Sequence, residues 1–254
     1  MEIVITSGAI SEDIDTVRSV TNNATGELGC RIAEAFAHKY NDKIHITYLC
    51  ERTAIRPHLT CVNVQFVHGI EQTIDTLHTI LTTRSISAVI HSMAVSDYTV
   101  DNVTNTQLLA QNLFDKIHIN PPLNLKEMEL LLKDCIDQAT FLNRKGKISS
   151  KMADMVLVLK KAPKIINMIK KYSPNTKLVG FKLLDNVSHD ELIKVGNKLL
   201  NTNNCDFVLA NDLQSIREKN HTGFLIKKDR TVEQAYGKTA IAEMIANNLA
   251  PVLT

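Results

Sequence analysis

The 254-residue chain has no Gly-x-Gly-x-x-Gly run, although its first apolar segment, Ile3 to Thr6, opens into a polar loop and then a helix-forming stretch. An ordinary dinucleotide-binding turn is therefore not expected. It also lacks any Cys-x-x-Cys pair. The five cysteines, at 30, 50, 61, 135 and 205, are scattered and odd in number, which argues against a disulfide framework or a zinc site and fits a reducing compartment. No apolar run approaches the roughly 18 residues of a membrane-spanning helix, and no charged segment with a long apolar sequel marks the N-terminus. Neither a membrane nor an export route is expected, and a cytoplasmic location is. Charge of one sign is not in excess either. With 29 basic and 27 acidic side chains the formal charge is +2, which leaves no footprint for nucleic acid. The nine histidines show no metal-ligand spacing on a shared face.

What the chain does contain is alternation. Short β-branched runs at Ile3 to Thr6, Ile44 to Tyr48, Ala88 to His91, Lys177 to Phe181 and Asp206 to Ala210 are separated by segments of helical character near Gly26 to Lys39, Ile70 to Thr83, Pro163 to Lys171, His189 to Leu200 and Gln234 to Asn248. Strand and helix in turn predict right-handed crossovers and a Rossmann-like α/β fold, a mostly parallel sheet with helices on both faces. We read residues 1–254 as one such domain. It is interrupted by an insertion at 101–146, with a helix at Lys126 to Gln138, and by an arm at 147–161 whose period-two apolar positions, Val156 and Val158, suit subunit pairing.

In a sheet of this kind ligands gather at the carboxyl ends of the strands. The loop after the first strand reads TSGAISEDIDTVRSVTNNATGELG, and its last residues open a helix at Thr25-Gly26, where free N–H groups and the positive end of the helix dipole favour an anion. Taken alone this seat suits a dinucleotide, a nucleoside triphosphate or a phosphorylated substrate. Ordinary readings compete with the functional one: an Asn in such a loop is more often a turn or cap residue, and a Lys in a polar stretch is by default solvated.

The order of residues within the loop resembles the signature of phosphopantothenate–cysteine ligases, roughly TSGGTxEPIDxVRxITNxSSGxMG. Thr6-Ser7-Gly8, Asp15, Arg18, Thr21-Asn22 and Thr25-Gly26 carry the match, while Ala9 and Asp13 depart from it. Four further segments follow in order. Ser92 to Tyr98, including Ala94 and Asp97, resembles AAAVADY; Lys147-Ile148-Ser149-Ser150 stands where many bacterial members have KIKK; Gly180-Phe181-Lys182-Leu183 resembles GFxxET, and Ala210-Asn211-Asp212 resembles AND. Lys198 falls where the family often has a helix lysine. The resemblance is to the monofunctional bacterial branch.

It implies a ligase that joins 4′-phosphopantothenate to L-cysteine through an acyl-cytidylate, consuming CTP with Mg²⁺, acting as a homodimer, and using no flavin and no NAD. Asn22 and Lys147 are then the catalytic residues. Ser7, Gly8, Arg18, Thr25, Gly26, Ala94, Asp97, Phe181, Lys198 and Asn211 contact substrate or nucleotide, and Asp97 also positions the nucleotide's metal. An FKL segment such as Phe181-Lys182-Leu183 occurs in ATP-using eukaryotic relatives as well, but CTP is the expectation for the bacterial branch. Two other classes compete. One is a short-chain NAD(P)-dependent oxidoreductase, opposed by Asn102 where such enzymes place a lysine four residues after the tyrosine, here Tyr98. The other is a non-catalytic nucleotide-binding module, favoured by Ser149 and Ser150 in place of lysines.

Overall fold

The computed structural model describes residues 1–138, 142, 146–218 and 220–253. These residues form two compact units. Met1–Ile10, Asn22–Val95 and Lys164–Thr254 make the first, and Ser11–Thr21 and Ser96–Pro163 make the second.

The first unit is built on eight strands: β1 (Glu2–Ser7), β2 (His45–Cys50), β3 (Val62–Phe66), β4 (Ala88–His91), β5 (Lys177–Leu184), β6 (Phe207–Asp212), β7 (Thr222–Lys227) and β8 (Val232–Tyr236). Their spatial order is β3-β2-β1-β4-β5-β6-β7-β8. The first six run parallel and the last two antiparallel. This is the doubly wound order, and it reverses between β1 and β4. A parallel strand covered on both faces needs continuous rather than alternating hydrophobicity, and Ile3, Val4 and Ile5 are all fully buried.

Helices α1 (Glu27–Tyr40) and α6 (Lys238–Leu249) cover one face. Ile32, Ala33 and Phe36 of α1 share a buried cluster with Ile241, Ala242 and Ile245 of α6 and with Ile3, Ile5, Val179 and Leu209 of the sheet. Each large apolar side chain so buried contributes about 1.5–3 kcal/mol by leaving water. Helices α2 (Gly69–Thr83), α3 (Ile166–Tyr172) and α4 (His189–Thr202) cover the other face. There Gly180 lets α3 and α4 approach β5: a Cβ added to it would lie 3.1 Å from Ile166 and 3.4 Å from Leu199. The rings of His78 in α2 and Tyr172 in α3 meet edge to face at 4.7 Å. A short α5 (Leu213–Arg217) links β6 to β7.

In the second unit Tyr98–Thr104 pairs antiparallel with Val156–Lys161, with an irregularity between Val100 and Asn102. Ser11–Asp13 and Ser19–Thr21 form a small hairpin. Ile14, Val100, Val103 and Ile148 make its buried cluster, joined by Leu142, Met152, Met155 and Leu157. Helices Thr106–Ile119 and Leu125–Asp137 complete it, each started by an asparagine cap: Asn105 accepts from the Leu108 N–H at 2.8 Å and Asn124 from that of Glu127 at 3.0 Å.

The parallel sheet with helices on both faces is as the alternation predicts. Several elements differ. The range 101–146 holds two helices rather than one, and its residues 139–141 and 143–145 lie outside the described residues. The helix expected from Gln234 starts only at Lys238, because Val232–Tyr236 is drawn into a hairpin with β7 and Gly237, at φ +79°, breaks the chain direction. Strands β3, β7 and Tyr98–Thr104 were not expected. β3 and β7 are short edge or near-edge strands, and Tyr98–Thr104 has too mixed a pattern to stand out.

Candidate active site

The reversal of strand order between β1 and β4 opens a crevice at their carboxyl ends, and the two chain tails remain hydrogen-bonded beyond it. Ala94 N–H donates to Gly8 O at 2.8 Å, Ile10 N–H to Ala94 O at 3.1 Å, and the Ser92 hydroxyl to Thr6 O at 2.7 Å. Ala9 and Ala94 form a parallel bridge.

Three glycines then bring α1 against the tail of β1. Gly8 and Gly26 both lie at positive φ, +79° and +82°. A Cβ on Gly8 would sit 2.7 Å from that of Ala54, and one on Gly26 would be 3.2 Å from Gly8 Cα, Gly8 N and Ile55 O. Gly29, in the first turn of α1, leaves no room at all: its Cβ would lie 2.1 Å from Ser7 Oγ. Ser7, fully buried, donates to Gly26 O at 3.0 Å, and the Tyr48 hydroxyl donates to Ile55 O at 3.0 Å. Gly8, Gly26 and Gly29 thus supply the tight turn, the open backbone approach and the close helix packing that a contiguous glycine motif supplies elsewhere. The first is separated from the others by the loop that contributes Ser11–Thr21 to the second unit.

The start of α1 carries no side-chain cap on its Gly26 N-cap; Thr25 Oγ1 accepts only a long bond, 3.4 Å, from the Glu27 N–H. N–H groups at this end are therefore available to an anion. The Glu27 carboxylate beside them is paired with Lys238 at the start of α6, whose ammonium holds the Glu27 pKa below its ordinary value. Lys238, Glu27, Arg31, His221, Ile216, Gly237 and Thr239 line a cleft of about 390 Å³. Nε2 of His221 is 2.5 Å from Asn211 Nδ2, and the other ring nitrogen is buried with no hydrogen-bond partner among the described residues. Burial pushes the His221 pKa down, so the ring is neutral.

Of the predicted residues, Ser7, Gly8, Thr25, Gly26 and Ala94 come together at the crevice, and Asn211 contacts His221 of the neighbouring cleft. Asn22 is exposed in the loop before α1, with its carbonyl accepting the Ala24 N–H at 3.0 Å. Two others lie elsewhere in the fold. Phe181 is not at a strand end: β5 continues to Leu184, Phe181 is paired with Leu209, and its ring packs against the main core. Lys198 lies in the third turn of α4. That stretch runs toward the amino edge of the sheet, where Arg230 of the β7–β8 turn donates to Asn197 and Asn201 at 2.7 and 3.1 Å, so Lys198 faces solvent away from the crevice.

Arg18, Asp97 and Lys147 belong to the second unit. There Asp15, 2% exposed, accepts the N–H groups of Val17, Arg18 and Ile148 at 2.9, 2.8 and 3.0 Å and a forked pair from the Arg18 guanidinium. Arg18 donates onward to Ile148 O at 3.1 Å. Its guanidinium holds the Asp15 carboxyl far below the usual range. This network anchors the residue next to Lys147, whose own side chain is exposed. Asp97 is exposed too, and its carbonyl accepts the Ala162 N–H at 2.9 Å. Among the described residues no three His, Cys, Asp or Glu side chains converge to hold a metal.

Gly29 and Lys238 were not singled out from the sequence. The signals were there: Gly29 follows Gly26 at the spacing of a Gly-x-x-Gly, and Lys238 comes directly after a glycine at a helix start.

Buried at the carboxyl end of β4, His91 shares a 2.8 Å hydrogen bond with Thr6 Oγ1, and desolvation lowers its pKa to about 4. The unfolded chain takes up this proton near pH 6.5 and the folded one only near 4, so its contribution is fully present above pH 6.5 and is lost as the pH falls toward 4. In urea titrations His91→Gln should therefore lose up to about 3 kcal/mol less stability than the unmodified protein between pH 7 and 4. Parallel pH profiles for the two proteins would remove His91 from this role.

Among the described residues no helix is long and apolar enough to cross a membrane. Comparison with known proteins gives one consistent result. Residues 1–135 and 137–252 match the family described as DNA/pantothenate metabolism flavoprotein, C-terminal domain. The flavin-binding part of such proteins belongs to their other, N-terminal domain. The DNA/pantothenate metabolism flavoprotein from Streptococcus pneumoniae, of known crystal structure, is 30% identical with a TM-score of 0.77, and the alignment covers 99% of both chains. The coenzyme A biosynthesis bifunctional protein CoaBC of Thermococcus kodakarensis is 25% identical over 227 residues, which are 89% of this chain but 45% of that protein. This chain thus spans about half the length of the curated relatives it matches. Cab2 mutant H337A in complex with phosphopantothenate-cysteine shares the fold, with a TM-score of 0.66 at 16% identity over 99% of this chain. A family match over nearly the whole chain, on a doubly wound sheet with a glycine-lined crevice at its switch point, makes this protein a member of the DNA/pantothenate metabolism flavoprotein C-terminal domain family.

Proposed function

We propose that the chain is a phosphopantothenate–cysteine ligase of coenzyme A biosynthesis, which joins 4′-phosphopantothenate to L-cysteine with consumption of CTP. The observation that carries this reading is the seat formed by Gly8, Gly26 and Gly29 at the switch point of a chain in this family. The names of its CoaBC relatives and the phosphopantothenate-cysteine held by a protein of the same fold support it.

A carboxylate is a poor acyl donor because its leaving group would be oxide. In this reading the pantothenate carboxylate attacks the α-phosphorus of CTP, pyrophosphate leaves, and the amine of cysteine then displaces CMP from the acyl-cytidylate. Both steps gather negative charge, so donors fixed in advance contribute most of the catalysis. The uncapped N–H groups at the start of α1, opposite Ser7, Gly8 and Ala94, receive phosphoryl oxygens; Thr25 adds a hydroxyl, and Asn211 a buried amide. Asn22, with donor and acceptor on one amide, holds the acyl-phosphate oxygen, and Lys147 supplies a mobile cation. Mg²⁺ bound to the triphosphate, with Asp97 as its protein ligand, would draw charge from the phosphoryl oxygens. Arg18, committed to Asp15, fixes Ile148 and so shapes the loop that bears Lys147. Quantifying CMP and AMP release with each nucleotide in turn tests this reading: CMP release dependent on 4′-phosphopantothenate supports CTP use, and AMP release alone would replace CTP by ATP.

Homodimer formation belongs to the same proposal. Val156 and Val158 are half-buried on the face of their strand opposite Leu157, which packs inward. Val156→Lys with Val158→Lys should shift the protein toward monomer in sedimentation velocity runs; an unchanged sedimentation coefficient would discard this surface.

A further inference from the structure

The loop after β2 carries a feature that the ligase chemistry above does not use. Arg52 and Arg56 both lie over the ring of Phe66, the last residue of β3, with guanidinium carbons 4.7 and 5.3 Å from the ring centroid. One Arg56 guanidinium nitrogen donates to the Arg52 backbone carbonyl at 3.0 Å, which ties the Arg56 side chain to the turn that carries Arg52. Among the described residues neither guanidinium meets a carboxylate. Glu51, next to Arg52 in the chain, is 7% exposed and lies 3.5 Å from the His68 ring. Two guanidinium groups on one ring, neither in contact with a carboxylate among the described residues, concentrate positive charge on a surface whose overall charge is balanced.

The same loop forms one wall of the glycine seat. Ala54 fills the space above Gly8, Ile55 N–H donates to Thr25 O at 2.9 Å, and Ile55 O abuts Gly26. Arg52 and Arg56 flank these two residues. Phe66 is in register with Cys50, and Cys50 with Ser7, so the platform lies two strands from the seat along the carboxyl edge, about 10 Å at the usual strand spacing. An aromatic face holds a guanidinium flat and leaves its N–H edge free for oxygens, and paired arginines match the geometry of a phosphate better than that of any neutral group.

We propose that Arg52 and Arg56, held on Phe66, form a second anion subsite that grips a phosphate group of a reactant whose other end occupies the glycine seat. The chemistry is that of a dianionic phosphate. It could be the phosphate ester of 4′-phosphopantothenate or the outer phosphates of the nucleotide. The assignment of reactants rests on the ligase reading; the anion site itself does not.

The test is calorimetric titration of the unmodified protein, of Arg52→Gln/Arg56→Gln and of Phe66→Leu with inorganic tripolyphosphate, CTP, 4′-phosphopantothenate and unphosphorylated pantothenate, with urea unfolding to verify the fold and turnover measured in parallel. The double variant should weaken binding of tripolyphosphate and of one phosphorylated reactant about tenfold or more, leave pantothenate unchanged, and flatten the salt dependence. Phe66→Leu should give the same pattern more weakly. Loss for 4′-phosphopantothenate alone assigns the ester; loss for CTP alone assigns the outer phosphates. Unchanged binding of every phosphate in the folded double variant, equal loss for pantothenate, or no tripolyphosphate binding by the unmodified protein would each overturn the subsite. Normal tripolyphosphate binding with no turnover in the unmodified protein would instead count against the ligase reading alone.

Discussion

Gly26→Val should abolish nucleotide protection against heating and lower ligase turnover at least about 10²-fold. A β-branched residue at φ +82° costs on the order of 1–3 kcal/mol in backbone strain alone, and its Cβ would meet Gly8 and Ile55 at 3.2 Å. The displacement falls on the N–H groups that we assign to phosphoryl oxygens, so binding is lost together with stability. Gly26→Ala should show the same direction with a smaller loss. The measurement is a thermal melt with and without CTP, beside steady-state turnover. A Gly26→Val protein that kept the unmodified shift on adding CTP would move the anion seat elsewhere.

Lys147→Gln should lower turnover by about 10²-fold with a smaller effect on nucleotide binding, because a charge-assisted contact to the α-phosphate matters most where charge is greatest. Its side chain is exposed and the adjoining Ile148 is fixed by Asp15 and Arg18, so the fold should be indifferent to the change. Asn22→Asp, which sets a carboxylate against phosphoryl oxygens, should instead release the acyl-cytidylate to solvent before cysteine arrives. Rapid quench with labelled CTP in the absence of cysteine separates the two: slow formation in the lysine variant, formation and loss in the asparagine variant. Unmodified kinetics in both would remove these residues from the reaction path.

The sheet was legible in the sequence because its central strands must be apolar on both faces, and runs such as Ile3-Val4-Ile5 admit little else. The edge elements were not. The β7–β8 hairpin and Val62–Phe66 are short, half-exposed and mixed in pattern, so pairing decides them and periodicity does not. At the site, Thr6 to Gly8 and Thr25-Gly26 were readable from their order, whereas their union with Gly29 required seeing that an 11-residue stretch of the same loop, Ser11–Thr21, folds with the second unit. The positions of Phe181 within β5 and Lys198 within α4 were not legible for one reason. Position in a motif says nothing about how far a strand continues or which end of a helix faces the crevice. Lys238 escaped notice because the residue it pairs with, Glu27, is 211 residues away in the chain.

The short-chain oxidoreductase reading needs a lysine four residues after Tyr98, and that position is Asn102. The binding-module reading is separated from the ligase only by chemistry. The most direct measurement is therefore mass spectrometry of the products when the purified chain meets 4′-phosphopantothenate, L-cysteine and CTP with Mg²⁺, with nucleotide and pyrophosphate counted in the same samples. The ligase account predicts 4′-phosphopantothenoyl-cysteine, CMP and pyrophosphate in equal amounts, and no amide when CTP is withheld. No nucleotide-dependent amide, or release of CDP and inorganic phosphate in place of CMP and pyrophosphate, would contradict it.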